Sequence, residues 1–145
     1  MNTAASETRS VIVEREFPFP PEKLWRALTQ PHLIEEWLMK TDFKPAVGHR
    51  FNLRGDWGGV LDCEVLAIET HKTLSYTWNF AHNDASYNLQ SVVTFTLTPT
   101  SKGTHLRMEQ VGFRPDQKQA YHGAQHGWQQ FFTNLEQVLT RTEVA

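Results

Sequence analysis

The sequence predicts an α+β fold in which a curved, six-stranded antiparallel sheet wraps around a long C-terminal helix, with two short helices after the first strand. Six segments alternate apolar and polar residues with the period of two that is typical of half-buried strands. The last segment, from about Asp116 to Arg141, instead repeats apolar residues at helical spacing. Because each strand has only one apolar face, some element must cover the sheet, and this helix is the candidate.

The first strand is predicted from Arg9 to Phe17, with Val11, Val13 and Arg15 on the same face as Phe17. Prolines end it, because a proline supplies no donor to a strand ladder. The same prolines favour the start of a helix. A helix is therefore predicted over about Glu22–Thr29, and a second short one follows Pro31. The second helix has apolar residues at helical spacing, namely Leu33, Ile34, Trp37 and Leu38.

Five further strands are predicted, and turns or polar loops separate them. Their ranges are His49–Arg54, Val60–Glu69, Thr73–Phe80, Leu89–Thr98 and Thr104–Gly112. In Val60–Glu69, alternation places Leu61, Cys63, Val65 and Ala67 on the apolar face. The predicted turns and loops are Gly55–Gly59, His82–Ser86 and Pro99–Gly103.

The C-terminal helix has a broad apolar stripe and a polar opposite face. The stripe consists of Tyr121, Ala124, Trp128, Phe131, Phe132, Leu135, Val138 and Leu139. Gly123 and Gly127 are unfavourable there, since a glycine inside a helix costs about 1 kcal/mol relative to alanine. Either tight packing against the sheet or space for a ligand explains them equally well.

Composition and charge narrow the classes of function. A net charge of −2 with dispersed Lys and Arg gives no basic surface for nucleic acid. No segment reaches the roughly 20 apolar residues of a membrane span, and residues 1–10 lack the apolar run of a signal peptide, so we expect a cytoplasmic protein. The only cysteine, Cys63, excludes an internal disulfide and a multi-cysteine metal site. A single domain over residues 9–142 after a flexible N-terminus, residues 1–8, is the expected organisation.

Catalytic patterns are weak. His122 and His126 stand four residues apart on one helix face, a spacing that can pair two metal ligands, but no third ligand is evident. We therefore interpret them as a solvated face and predict no metal and no cofactor. Cys63 lies on an apolar strand face, which favours an inert buried thiol over a nucleophile. The sequence contains no Gly-x-Ser-x-Gly elbow.

Several segments together resemble a known family. They are Pro21–Thr29 followed by Pro31 and Glu36-Trp37, then Gly48–Phe51, Gly59–Leu61, Leu74–Trp78, Gly112-Phe113 and Gly127-Trp128. In this order they are similar to the bacterial branch of the proteins homologous to the activator of the heat-shock protein 90 ATPase, in the START-related, Bet v-like superfamily (SRPBCC). The resemblance implies the helix-grip fold and a deep cavity between sheet and long helix. In the superfamily such cavities hold lipids, sterols, polyketides or flavonoid-like molecules. The eukaryotic namesake contacts a chaperone, partly through an additional N-terminal domain.

The inward faces combine apolar walls with a few polar groups, as a pocket for a small hydrophobic molecule does. The candidate ligand-binding residues are Phe51, Leu53, Cys63, Tyr76, Trp78, Ser91, Val93, Phe95, Met108, Gln110, Tyr121, Trp128 and Phe132. A filled core, in which the polar groups bond one another, is the competing interpretation. Binding without catalysis is the leading prediction. The alternatives are an enzyme of the polyketide cyclase or hydrolase type and a chaperone-associated regulator. The sequence leaves open whether the chain forms a weak homodimer.

Overall fold

The computed structural model describes residues 9–55, 58–80 and 89–141. Four sequence predictions lie wholly or partly outside these residues. They concern the flexible segment 1–8, the turn residues Asp56 and Trp57, the polar loop His82–Ser86 and the end of the domain at residue 142.

The described residues form one antiparallel sheet of seven strands with three helices. The strands are β1 (Arg9–Phe17), β2 (Lys40–Thr41), β3 (Arg50–Arg54), β4 (Val60–Glu69), β5 (Thr73–Phe80), β6 (Leu89–Thr100) and β7 (Gly103–Phe113). The helices are α1 (Pro21–Thr29), α2 (Pro31–Trp37) and α3 (Lys118–Arg141). Strand order across the curved sheet is β1-β7-β6-β5-β4-β3-β2, so β1 and β2 form its edges. The α+β class, the antiparallel curved sheet and the long C-terminal helix are confirmed.

The predicted number of six strands is wrong, because β2 was not expected. This strand pairs only Lys40 with Arg54 and Thr41 with Leu53. Two residues are too few to show an alternation in the sequence, so only the partner strand reveals them. The other boundaries differ slightly, and α3 begins at Lys118 instead of about Asp116.

The assignment of Ala67 to the apolar face is also wrong. Leu61, Cys63 and Val65 are buried as predicted, but Ala67 is exposed. The β4–β5 register shifts between Val65 and Ala67. Because a bulge inserts one unpaired residue, every later side chain moves to the opposite face. Elsewhere the alternation holds, and in β6 and β7 the predicted inward residues are buried or half-buried.

The β6–β7 hairpin requires a glycine at the end of its turn, where β7 begins. Gly103 has a φ of +151°, and a Cβ there would lie 2.2 Å from the carbonyl oxygen of Phe17. Only glycine allows so close a backbone approach. The contact brings the end of β1 and the start of α1 against this turn. There the Thr104 hydroxyl donates to the Phe19 carbonyl at 2.7 Å.

The helices cover the apolar face of the sheet. Helix α3 contacts β1, α1 and α2 and buries Trp128, Phe132, Leu135, Val138 and Leu139. Helix α2 is fixed on α1 by Trp37, whose indole N–H donates to the Ala27 carbonyl at 2.8 Å. The core therefore lies between the concave side of the sheet and α3, with α1 and α2 at one end. No helix in these residues is both long enough and apolar enough to span a membrane.

Candidate binding cavity

The structure buries nearly all the sequence-predicted site residues, and several of their aromatic rings pack directly on one another. Tyr121 is half-buried and the other members of the set are buried. At the centre, aromatic rings fill the space. Ring centroids are 5.1 Å apart for Phe51 and Tyr76, 6.0 Å for Tyr76 and Phe95, and 5.8 Å for Phe95 and Trp128. This region is a packed aromatic core, with rings at the edge-to-face and tilted geometries that such cores favour.

A smaller cavity of about 210 Å³ lies at one end of this core, between the first half of α3 and strands β5–β7. Its lining residues are Trp78, Leu89, Gln110, Phe113, Ala120, Gly123, Ala124, Gly127, Trp128 and Phe131. We call it the glycine cavity. Three of the predicted site residues, Trp78, Gln110 and Trp128, line it. The remaining ten do not.

The two helix glycines face open space. A Cβ built on Gly123 or Gly127 would have no heavy atom within 4 Å, apart from their chain neighbours and the adjacent helix backbone. Tight packing therefore does not explain either glycine, and of the two explanations left open by the sequence the structure favours space. A glycine inside a predicted helix was the available signal for the cavity's position. Nothing in the alternation pattern pointed to Phe113 or Ala120.

A buried chain of hydrogen bonds forms the polar part of the cavity wall. The Trp128 indole N–H donates to Gln110 Oε1 at 2.8 Å, and Gln110 Nε2 donates to Ser91 Oγ at 3.0 Å. Ser91 Oγ in turn donates to the Trp78 carbonyl at 2.6 Å. All four residues are buried. Because an unpaired buried polar group costs about 1–3 kcal/mol, this chain fixes the Trp128 indole in the wall and ties it to the backbone at Trp78.

Gln110 retains hydrogen-bonding capacity at the cavity. A glutamine amide has two N–H donors and an oxygen with two lone pairs. The bonds to Trp128 and Ser91 use one donor and one lone pair. One N–H and one lone pair therefore remain to orient a polar atom of a ligand.

Tyr76 and Cys63 are neutral in the folded protein. Burial raises the pKa of the Cys63 thiol to about 12, with a smaller contribution from the nearby Asp62 carboxylate. Burial also raises the pKa of Tyr76 well above its ordinary value, and the proximity of Cys63 adds to the effect. A thiolate is the nucleophilic form of cysteine, so this environment suppresses the reactivity of Cys63.

The paired histidines lie on the solvent side of α3. His122 and His126 are both exposed, and the His122 ring contacts Tyr121 with centroids 5.5 Å apart. In the described part of the chain, no group of three or more His, Cys, Asp or Glu side chains is placed to hold a metal ion.

Known proteins share this architecture. The family model described as Activator of Hsp90 ATPase homolog 1-like protein matches residues 18–140. Protein MLL2253 from Mesorhizobium loti is 74% identical, with a TM-score of 0.90 over 94% of this chain and 100% of that one. DynU16, from the dynemicin biosynthetic locus, is 22% identical with a TM-score of 0.79 over 91% of this chain and 47% of that one.

CalU16 from Micromonospora echinospora is 22% identical, with a TM-score of 0.76 over 93% of this chain and 78% of its own. A search of the curated proteins found no match. The family match spans nearly all of the described elements, in agreement with the resemblance read from the motifs. The chain therefore belongs to the Activator of Hsp90 ATPase homolog 1-like family.

Proposed function

We propose that the protein binds a small hydrophobic molecule in the glycine cavity. The observation that carries this proposal is the pair of helix glycines, the exposed Gly123 and the half-buried Gly127, which line the open side of an apolar cavity that no described side chain fills. Each retains a helix cost of about 1 kcal/mol that an alanine would remove. A ligand that needs this space gives the glycines a role that packing does not.

The cavity volume restricts the ligand. At about 30 Å³ for each water-sized group, a cavity of about 210 Å³ accommodates roughly seven such groups. Among lipids, sterols, polyketides and flavonoid-like molecules, a segment of an acyl chain or one aromatic ring has this size. A complete sterol exceeds it. The origin of DynU16 in a biosynthetic locus agrees with a small molecule as ligand.

The lining favours binding over acid–base catalysis. Among the residues that the structure describes, it consists of aromatic, aliphatic and glycine residues with one amide, Gln110, and none of these side chains titrates near neutral pH. General acid–base chemistry needs such a group within hydrogen-bonding distance of the substrate. The wall does supply Trp78 and Trp128, on which a flat or aliphatic ligand packs.

Titrations monitored by tryptophan fluorescence test the proposal, because Trp78 and Trp128 line the cavity. A panel of short-chain alcohols, fatty acids and flavonoids serves as probes. We expect saturable binding to the native protein and its loss in Gly127→Leu, whose side chain fills the cavity. Gln125→Leu is the matched control, because it adds the same apolar side chain on an exposed position of α3. Equal binding by both variants, or no binding by any probe, would refute the proposal.

A further inference from the structure

A second cavity shares the lining residue Phe131 with the glycine cavity. It has a volume of about 510 Å³ and lies among α2, the β2–β3 edge and the middle of α3. Its lining residues are Glu35, Leu38, Met39, Lys40, Arg54, Gly55, Phe131 and Asn134. Phe131 lines both spaces and packs edge-to-face on Trp128, with ring centroids 5.3 Å apart. A ligand that passes beside this ring would enter both.

The two cavities differ in chemistry. The described lining of the glycine cavity is apolar except for Gln110, whereas that of the second cavity combines apolar residues with charged ones. Ligand pockets usually have volumes of about 300–1,000 Å³. The glycine cavity alone falls below this range, but the second cavity brings the available space within it. A ligand of ordinary size therefore extends into the second cavity.

Two cations face each other at the rim of the second cavity. Lys40 and Arg54 are direct partners in the β2–β3 ladder, and both are exposed. Like charges directly opposite in a sheet destabilise it. Neither cation forms an ion pair with any residue that the structure describes. Their positive charge is therefore available to a ligand.

No carboxylate among the described residues forms an ion pair with Lys40 or Arg54. Glu36 is bound to Arg141 at 2.7 Å, and Asp42 accepts the Asn52 backbone N–H at 2.8 Å. Glu35 is the acidic residue in the described lining. The Asn52 backbone N–H and, to a smaller extent, the charge of Arg54 lower the pKa of Asp42, so this carboxylate offsets part of the positive charge. Without an ion pair among the described residues, Lys40 and Arg54 still have N–H donors for an anionic group. A guanidinium also presents paired donors with the geometry of a carboxylate.

From this arrangement we infer that the ligand is a small amphipathic carboxylic acid. Its apolar body occupies the glycine cavity, and its carboxylate lies at Lys40 and Arg54 in the second cavity. The inference rests on the proposed function and adds the chemical class of the ligand. It also gives a role to Lys40, on a strand of only two residues, and to Arg54 opposite it.

Octanoate and 1-octanol are the probes, because they share an apolar body and differ in charge. Tryptophan fluorescence titrations measure both dissociation constants for the native protein, for the double variant Lys40→Gln/Arg54→Gln, and for Lys72→Gln/Lys102→Gln. The last is the matched control, which removes the same charge from two exposed lysines outside both cavities.

At low salt we expect octanoate to bind about 5-fold more tightly than octanol, as two partly exposed ionic contacts allow. The preference should fall below about twofold in Lys40→Gln/Arg54→Gln, persist in the control, and shrink at high salt. Octanol affinity should be the same in all three proteins. Octanol binding that Gly127→Leu abolishes, without any preference for octanoate, would overturn this inference and leave the proposed function intact. No binding of either probe would overturn both.

Discussion

Replacing both cavity glycines by alanine should stabilise the protein. Each substitution removes about 1 kcal/mol of helix cost, and the added Cβ meets no heavy atom within 4 Å. The double variant Gly123→Ala/Gly127→Ala is therefore expected to gain about 2 kcal/mol in free energy of unfolding. For a chain of this size, that corresponds to a rise in Tm of about 6 °C.

Thermal and urea unfolding, followed by circular dichroism, measure this gain. Gly112→Ala is the opposite control, because its φ is +132° and its Cβ would lie 2.4 Å from the Gln90 carbonyl oxygen. That variant should lose stability. If Gly123→Ala/Gly127→Ala left the Tm unchanged or lowered it, the glycines would be required for packing or backbone geometry, and the argument for a cavity would fail. The gain should appear without ligand, since it depends only on the helix.

Two further predictions concern the wall and the core. Trp128→Phe removes the N–H that donates to Gln110 Oε1, so the free energy of unfolding should fall by about 1–3 kcal/mol. Urea titrations measure this loss. A loss under about 0.5 kcal/mol would contradict the role assigned to this hydrogen bond. Alkaline pH should destabilise the native protein, because burial raises the pKa of Cys63 from 9.0 to about 12. Between these values the unfolded chain releases a proton that the folded chain retains, so the free energy of unfolding falls with rising pH by up to about 1.4 kcal/mol per unit. Tyr76, whose pKa is also raised, acts in the same direction. Cys63→Ala should flatten the pH dependence of urea unfolding, and an unchanged slope would contradict this explanation.

Periodicity predicted the fold well because burial in a sheet follows the side-chain alternation directly. In β1 the residues Val11, Val13 and Phe17 are buried as the pattern requires, with Arg15 half-buried beside them. Failures occurred where pairing, and not sequence, sets the geometry. The bulge before Ala67 depends on the pairing of β4 with β5, and the two residues of β2 are a strand only through their pairing with β3.

The candidate site was less predictable for a different reason. Alternation shows that a residue such as Phe95 faces inward, but it does not show whether neighbouring rings close the space around it. In the structure they do, since the ring centroid of Phe95 lies 5.8 Å from that of Trp128 and 6.0 Å from that of Tyr76. The glycine cavity lies where small residues, Gly123 and Gly127, replace such rings. Cavity position therefore depends on side-chain volume along α3, which periodicity does not measure.

The two halves of α3 differ in how much apolar area they bury. Its second half buries Leu135, Val138 and Leu139, and Arg15 of β1 ties it to the sheet through an ion pair with Glu136 at 3.6 Å. That half supplies packing energy and orientation. Its first half contributes glycines and little buried apolar area beyond Trp128, so it can form a cavity wall without weakening the core. Trp128 joins the halves, because it packs in the aromatic core and also closes the glycine cavity. A ligand that binds there as proposed would contact Trp128, and since it binds the folded chain it should raise the free energy of unfolding as its concentration rises.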